Sequence, residues 1–353
     1  MAHFWVRAET KKGEARAPVT PATAQELIDQ GNLVSVELSG DRAFSNGDYA
    51  AAGCEMVPAG GWASAPASAV VLGIKELPDA PENLSHQHIF FGHAFKGQAG
   101  WQDLLARFQR GGGRLLDLEY LTDENGRRLA AFGYWAGFAG AALGLAASAN
   151  LKRGDDPVLP PLAPFGDQDA MVAWVREAMD GLEAPTALVM GALGRCGTGA
   201  TDLCEALGVS PTRWDMAETA NGGPFPEILA HDVFINCVLG SDTTPIFVPA
   251  DAPDDVNRKL SIVSDVSCDP SGPHNPVPIY DRITTFAEPA IEIAGAGAPL
   301  YVTAIDHLPS LLPMEASEDY AAQLLPVLLQ LDDDPDGVWA RAGAVFEQHV
   351  AKL

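Results

Sequence analysis

The sequence predicts an α/β protein of two domains, each built on a parallel sheet. Three observations carry this. Short apolar runs alternate with helical stretches from the first residues onward, the pattern of parallel strands joined by crossover helices. A chain of 353 residues exceeds what one core usually organises, and 47% hydrophobic residues suffice for two. A second run of the same alternation begins near residue 186, where a strand leads directly into a glycine-rich turn, GALGRCG, at 191–197.

Taken in order, residues 3–7 read as a strand. Thr20 and Pro21 mark a helix start, an N-cap followed by a residue whose φ is already set, and Gly31 closes that helix before a strand at 33–38. Residues 70–74 and 89–95 are further strands, followed by an amphipathic helix at 101–110, a strand at 114–121 and an Asn125-Gly126 turn. Residues 129–151 carry no charge and are mostly Ala and Gly, whose small apolar surface suits a buried helix rather than a membrane span. Gly133, Gly137, Gly140 and Gly144 would let another backbone approach it closely, as suits a helix wedged between two domains. A Pro-rich surface connection follows at 154–167. After the glycine turn a helix runs to about Leu207, and later strands fall at 233–237, 261–266, 291–294 and 301–305. Two closing helices, near 320–331 and 339–351, have no strand after them and could return to the first domain.

The net charge of -25 would repel phosphate backbones and anionic membranes, so neither nucleic acid nor lipid is expected as a partner. Its distribution is uneven: residues 1–150 hold 12 Lys+Arg against 16 Asp+Glu, and the remainder 10 against 31. Cations able to hold an anionic substrate therefore concentrate in the N-terminal part. The five cysteines are an odd number at irregular spacing with no secretory leader ahead of them, so a cytoplasmic, mostly reduced protein is expected.

A strand, a glycine turn and a helix form a pyrophosphate cradle, because glycine admits the phosphates close to the backbone and the helix start presents free amides. Gly191, Gly194 and Gly197 stand at that turn, although their spacing departs from G-x-G-x-x-G. Asp215 lies at the end of the next expected strand, about 20 residues on, where a carboxylate accepts from an adenosine ribose hydroxyl and repels a 2′-phosphate. Cofactor choice should therefore be NAD. Cys196 opens the helix after the turn and Cys237 ends a strand expected beside the first strand of the same sheet. The two are placed to form a reversible disulfide, with two ordinary thiols as the alternative.

Arg16, Lys75, Glu76, His93, Lys96, Glu119 and Arg128 stand at expected strand ends in the N-terminal part. Taken singly, each reads equally as a surface charge, and His93 as a core histidine. No metal is expected, since His86, His88 and His93 have no cysteine or carboxylate at a familiar ligand spacing.

Their joint pattern is more specific. RAETKKGEARAPVTP (7–21), GIKELP (73–78), GHAFKGQAGW (92–101), DLEYL and GRRLAAFGYWAGFAGAALG within 117–144, GALGRCG, WDMAET (214–219), SDVSCD (264–269), HNPVPIY and IDHLPSLLP (305–313) resemble, in order and along nearly the whole chain, the lysine-forming saccharopine dehydrogenases. The broader alanine dehydrogenase and transhydrogenase group is similar around Arg16, Lys75 and His93, but does not typically share GHAFKGQAGW, the double arginine Arg127-Arg128 or IDHLPSLLP.

The resemblance implies two Rossmann-like domains with an active site in the cleft between them. Residues 1–130 plus about 318–353 would form the substrate domain and 131–317 the NAD-binding domain. It implies a cytoplasmic oxidoreductase of lysine metabolism that converts saccharopine, NAD and water to lysine, 2-oxoglutarate and NADH. Saccharopine carries three carboxylates, which Arg16 and Arg128 would clamp, with Lys96, Gln98 and Phe132 completing the pocket and Ser267, Cys268 and Asp269 beside it. Oxidising an amine and hydrolysing the resulting imine needs two acid–base groups, which the resemblance assigns to Lys75 and His93, with Glu76 and Glu119 as tuning charges. Lys75 acts as a base near neutrality only if burial or cations such as Arg16, Arg128 and Lys96 lower its pKa. On the cofactor side the resemblance implies Arg127, Arg195, Asp215, Thr219, Leu239, Val266, Ile305, Asp306, His307 and Leu308. The alternatives are a related opine or amino-acid dehydrogenase, and a dinucleotide-binding regulatory protein without turnover.

Overall fold

The computed structural model describes residues 1–331 and 337–353. The chain divides into two compact units, Met1–Ala131 with Pro313–Leu353, and Phe132–Leu312.

The first unit opens with β1 (His3–Val6), α1 (Pro21–Asp29), β2 (Leu33–Glu37), α2 (Asn46–Ala51) and β3 (Glu55–Val57), followed by β4 (Ala69–Leu72), β5 (Gln87–Phe90), α3 (Trp101–Gly111) and β6 (Arg114–Asp117). The strands form one parallel sheet in the order β3-β2-β1-β4-β5-β6. This is the doubly wound order, whose reversal between β1 and β4 opens a crevice at the carboxyl ends of those strands. Thr20 caps α1 through a reciprocal bond with Thr23, and Pro21 occupies the first turn, as the sequence requires.

The expected strands at 89–95 and 114–121 are shorter in the structure. β5 stops at Phe90, because the Gly92 amide turns aside to the Asp117 carboxylate and His93 adopts a φ of 49°, outside the extended region. β6 stops at Asp117, whose side chain accepts from the Glu119 amide and starts a 3-10 turn at Leu118–Tyr120. The sequence reading also passed over α2, capped by Ser45, and the three-residue β3. Both are too short to show a hydrophobic period.

The second unit runs α4 (Gly133–Arg153), α5 (Gln168–Met179), β7 (Ala187–Met190), α6 (Arg195–Ala206), β8 (Thr212–Trp214), α7 (Met216–Thr219), α8 (Pro226–Leu229), β9 (Val233–Asn236), β10 (Ile262–Asp265), β11 (Ile291–Glu292) and β12 (Tyr301–Thr303). Its sheet has the order β11-β12-β10-β9-β7-β8, parallel throughout except that β11 is antiparallel to β12. The winding reverses between β7 and β9, at the glycine turn.

The uncharged Ala/Gly segment forms α4, and among the described residues no helix is long and apolar enough to cross a membrane. Its glycines meet partners of their own unit. A Cβ on Gly137 would overlap the Cys196 carbonyl, one on Gly199 would overlap the Tyr134 carbonyl, and Gly140 and Gly144 face Val266, Ser264 and Val233. All these partners lie within the second unit, so the small residues let α4 and α6 meet backbone to backbone.

The last helices are α9 (Pro313–Leu328) and α10 (Val338–Val350). The Ser317 hydroxyl of α9 accepts from the Ala17 amide, Arg341 of α10 donates to the Thr122 carbonyl, and Phe346 meets Phe108 edge to face within the core of the first unit.

Candidate active site

The ionisable residues that the sequence singles out in the first unit gather at the carboxyl ends of β1, β4, β5 and β6. β1 runs into Arg7, which is 1% exposed and pairs with Glu9 at 3.2 Å. The Glu9 carboxylate accepts from the amides of Ile74 at 2.6 Å and Lys75 at 3.0 Å, and Arg7 donates to the Lys75 carbonyl. A buried ion pair thus grips the main chain of Lys75 on both sides. Burial pushes the Glu9 carboxyl above its ordinary value, against the pull of Arg7 and the two amides.

The Lys75 ammonium is held below its ordinary value by burial first, then by Arg16 and Lys11, while Glu14 and Glu76 act the other way. Arg16 is thus one of the cations expected to depress it. Lys11 joins it. Arg16 itself lays Nε and a terminal nitrogen on the two oxygens of Glu14, at 2.8 and 2.6 Å. Burial would raise the Glu14 carboxyl, but the bonds and charge of Arg16 outweigh it and hold it low.

His93 follows Gly92 and sets its Nε2 3.6 Å from Glu76, with both side chains about half exposed. A groove of about 800 Å³ has these two residues on its wall, together with Trp101 and Arg107 of α3. The core histidine of this region is His88 instead. Its ring sits edge-on to Trp62 and Phe108, and burial pushes it down to about 3, so it stays neutral. Lys96 Nζ meets Glu119 at 2.6 Å, and the Lys96 amide donates to the Gln98 side chain at 2.8 Å. Arg127 and Arg128 are exposed beyond the Asn125-Gly126 turn, where the Asp123 carboxylate accepts from the Arg127 amide and Thr122 bridges Arg128. Phe132 belongs to the second unit, at the start of α4.

In the second unit, Gly191 has a φ of 80°, and the amides of Gly191 and Ala192 donate to the Trp214 carbonyl. Gly194 is the N-cap of α6, and among the described residues no side chain caps that helix. A Cβ on Gly197 would overlap the Gly191 carbonyl, so the turn can close only on glycine. Asp215, directly after β8, accepts from the Leu193 amide at 3.0 Å and the Met216 amide at 2.9 Å. Its two oxygens retain acceptor capacity for a hydroxyl. An uncapped helix start, a glycine-only turn and a carboxylate tied to that turn fit a dinucleotide.

The remaining cofactor-side residues divide by burial. Leu239 is exposed, Arg195 and Val266 are half-buried, and Thr219 donates to the Asp215 carbonyl. Asp306 pairs with His307, whose ring packs on Phe286. Ile305 and Leu308 are buried, so a ligand would meet their backbone and not their side chains. Ser267, Cys268 and Asp269 follow β10 around the buried Asp265. That carboxylate accepts from Asn236, the Ser267 hydroxyl, the Cys268 amide and the Tyr280 hydroxyl, and Cys268 is held at a φ of 51°. Cys196 and Cys237 are unbonded thiols, and the neighbouring Cys196 together with burial pushes the Cys237 thiol well up.

Residues 5–139 match the model of the alanine dehydrogenase/PNT N-terminal domain. The chain is 45% identical to the saccharopine dehydrogenase (NAD(+), L-lysine-forming) of Candida albicans, over 99% of this chain and 97% of that one. The corresponding proteins of Yarrowia lipolytica and Schizosaccharomyces pombe are 46% and 44% identical, over 99% of this chain and 97% and 99% of theirs. This chain belongs to the lysine-forming saccharopine dehydrogenase family. Among solved structures it is similar to an L-alanine dehydrogenase, with a TM-score of 0.68 at 18% identity over 98% of this chain and 94% of that one. A transhydrogenase from Sinorhizobium meliloti gives 0.64 at 15%, over 96% and 97%. Those two likenesses show the shared fold.

In this saccharopine dehydrogenase family member, the sequence reading missed Arg7, Glu9, Lys11, Glu14, Asp117 and Asp265 as parts of the site. A signal was present for three of them: Arg7-x-Glu9 and Glu14-x-Arg16 are opposite charges spaced by two within one short loop. Burial is what makes those pairs matter, and spacing alone does not reveal it.

Proposed function

We propose that this chain catalyses the reversible, NAD-dependent oxidative cleavage of L-saccharopine to L-lysine and 2-oxoglutarate, consuming one water and yielding NADH and a proton. One observation carries this reading. A lysine weakened as an acid–base cation by burial, Arg16 and Lys11 stands at the same sheet edge as a histidine–carboxylate pair. Identity of 44 to 46% along nearly the whole chain to proteins named for that reaction supports it.

NAD, when bound, supplies the hydride acceptor. Neutral Lys75 takes a proton from the protonated secondary amine, freeing the nitrogen lone pair that forms the protonated imine as the neighbouring C–H bond gives up its hydride. His93, with Glu76 at 3.6 Å, takes a proton from the water that adds to the imine carbon and returns it to the nitrogen of the departing lysine product; the carbinol hydroxyl loses its proton, the one released overall, as the carbonyl forms and the C–N bond breaks. Arg16 and Arg128 hold substrate carboxylates, Lys96, Gln98 and Phe132 complete the pocket, Glu119 tunes Lys96, and Ser267, Cys268 and Asp269 border the substrate. The backbone at Gly194 and Arg195 would hold the pyrophosphate, Asp215 a ribose, and Arg127, Thr219, Leu239, Val266, Asp306 and His307 would flank the cofactor. Ile305 and Leu308 contribute backbone.

The test is NADH absorbance with saccharopine and NAD offered together. Release of lysine and 2-oxoglutarate in step with NADH is expected. Turnover of another opine or amino acid but not of saccharopine, or NADH binding without any turnover, overturns the reading. Small molecules are the partners, since a net charge of -25 disfavours nucleic acid and anionic membranes. Five free thiols fit the reducing cytoplasm.

A further inference from the structure

We infer that Asp117 is a positioning residue for the saccharopine reaction, fixing the loop that carries His93 and the turn that carries Glu119 through one buried carboxylate. This rests on the functional reading of His93 given above.

Asp117 is the last residue of β6 and is 1% exposed. One oxygen accepts from the Gly92 amide at 3.1 Å, the other from the Glu119 amide at 2.9 Å. Gly92 immediately precedes His93, and a Cβ there would lie 2.6 Å from Leu115 Cδ2 and 3.2 Å from Asp117 Oδ2. The glycine is therefore needed for the loop to reach the carboxylate. His93 follows at a φ of 49°, a left-handed conformation that a non-glycine residue holds only when its surroundings over-determine it. The bond from Gly92 is such a constraint, applied one residue before the strained position.

The second oxygen acts on the other pair. Glu119 is the partner of Lys96, which lies three residues beyond His93 in the same loop. Asp117 thus sets both ends of a closed circuit, from Gly92 and His93 to Lys96, across to Glu119, and back through its own side chain. An uncharged cap such as serine could turn the chain at Glu119, but it would not also reach Gly92. Burying a carboxylate is unfavourable, and here burial pushes it up to about 7 against the pull of the two amides, with Glu119 raising it further and Lys96 opposing. Tyr320 of α9 also feels this charge. A buried carboxylate where a hydroxyl would serve a turn is what a two-armed tether requires.

The test is Asp117→Asn, which keeps the volume and one acceptor but presents an amide donor to the second N–H. In the otherwise unaltered protein, kcat for saccharopine should fall about tenfold or more, as for other small misplacements of a reacting group, with NADH affinity within about twofold. In a His93→Gln background the same change should cost clearly less in kcat, because one of the groups it positions is already gone and only its hold on Glu119 and Lys96 is left. If Asp117→Asn does not fold, Asp117→Ser, which keeps the Glu119 cap and loses the Gly92 bond, is measured in the same two backgrounds. Parental kcat in the single variant, or the same loss in both backgrounds, overturns the inference. A His93→Gln protein with parental activity would instead overturn the role of His93 itself, whatever Asp117→Asn does.

Discussion

Arg16 and Glu14 form a two-point guanidinium–carboxylate pair within a single loop, with both side chains buried. A lone Arg16 in this place would be an uncompensated buried charge. The pair keeps the arginine fixed while its charge still bears on Lys75.

Glu14→Gln should therefore destabilise the protein by about 3 kcal/mol, the usual scale for removing one partner of a buried pair, measured by urea unfolding. The pH dependence has a definite sign. The folded Glu14 carboxyl lies below its unfolded value, so its contribution is present above the unfolded pKa and is lost as pH falls through the folded one. The parent should lose stability in that acid window, and the variant should lose less. Equal stability of the two proteins at neutral pH would show that the pair is not buried in solution.

Lys75→Met and His93→Gln should each lower kcat about 10²-fold or more, the scale for losing a general acid or base, with NADH binding nearly unchanged. The double variant should fall short of the product of the two if both groups act in one proton-transfer network. Because the Lys75 pKa is depressed, the parent rate should rise with pH at a lower pH than a solvent-exposed lysine would allow, and Lys75→Met should remove that rise. A folded double variant working near the parent rate would move the chemistry elsewhere.

Asp215 should make kcat/KM with NAD exceed that with NADP, since a carboxylate accepts from a ribose hydroxyl and repels a phosphate. The carboxylate also accepts from the Leu193 amide, so Asp215→Ser should both narrow the preference and weaken NADH binding by loosening the turn. Steady-state kinetics with both cofactors decide it. Equal or better kcat/KM with NADP in the parent would place Asp215 away from the ribose.

Cys196 and Cys237 are neighbouring thiols beside the glycine turn, so mild oxidation should join them. The Cys237 thiol is pushed up by Cys196 and by burial, so joining should quicken as pH rises and the thiolate fraction grows. Mass spectrometry after oxidation should find one linked peptide containing both residues, absent in Cys237→Ser. Failure to find it in the parent protein removes the redox reading.

The sequence by itself determined the order and kind of the main elements. Hydrophobic period, the Thr20-Pro21 start and the GALGRCG turn are local signals, legible within a few residues, and the backbone obeys them in α1, β7 and α6. It also marked Lys75, Glu76, His93, Lys96 and Glu119, because they fall where strands end. Only the tertiary structure decided which charges meet. Glu9 grips Lys75 from 66 positions away, Asp117 holds Gly92 across 25, and Asp265 gathers Asn236 and Tyr280 from either side. The same holds for the α4 glycines, which admit α6, and for Ile305 and Leu308, whose side chains the core takes. The reason is physical: a helix or strand start depends on neighbours a few residues away, whereas burial and the partner of a charge depend on what other strands bring to the same sheet edge.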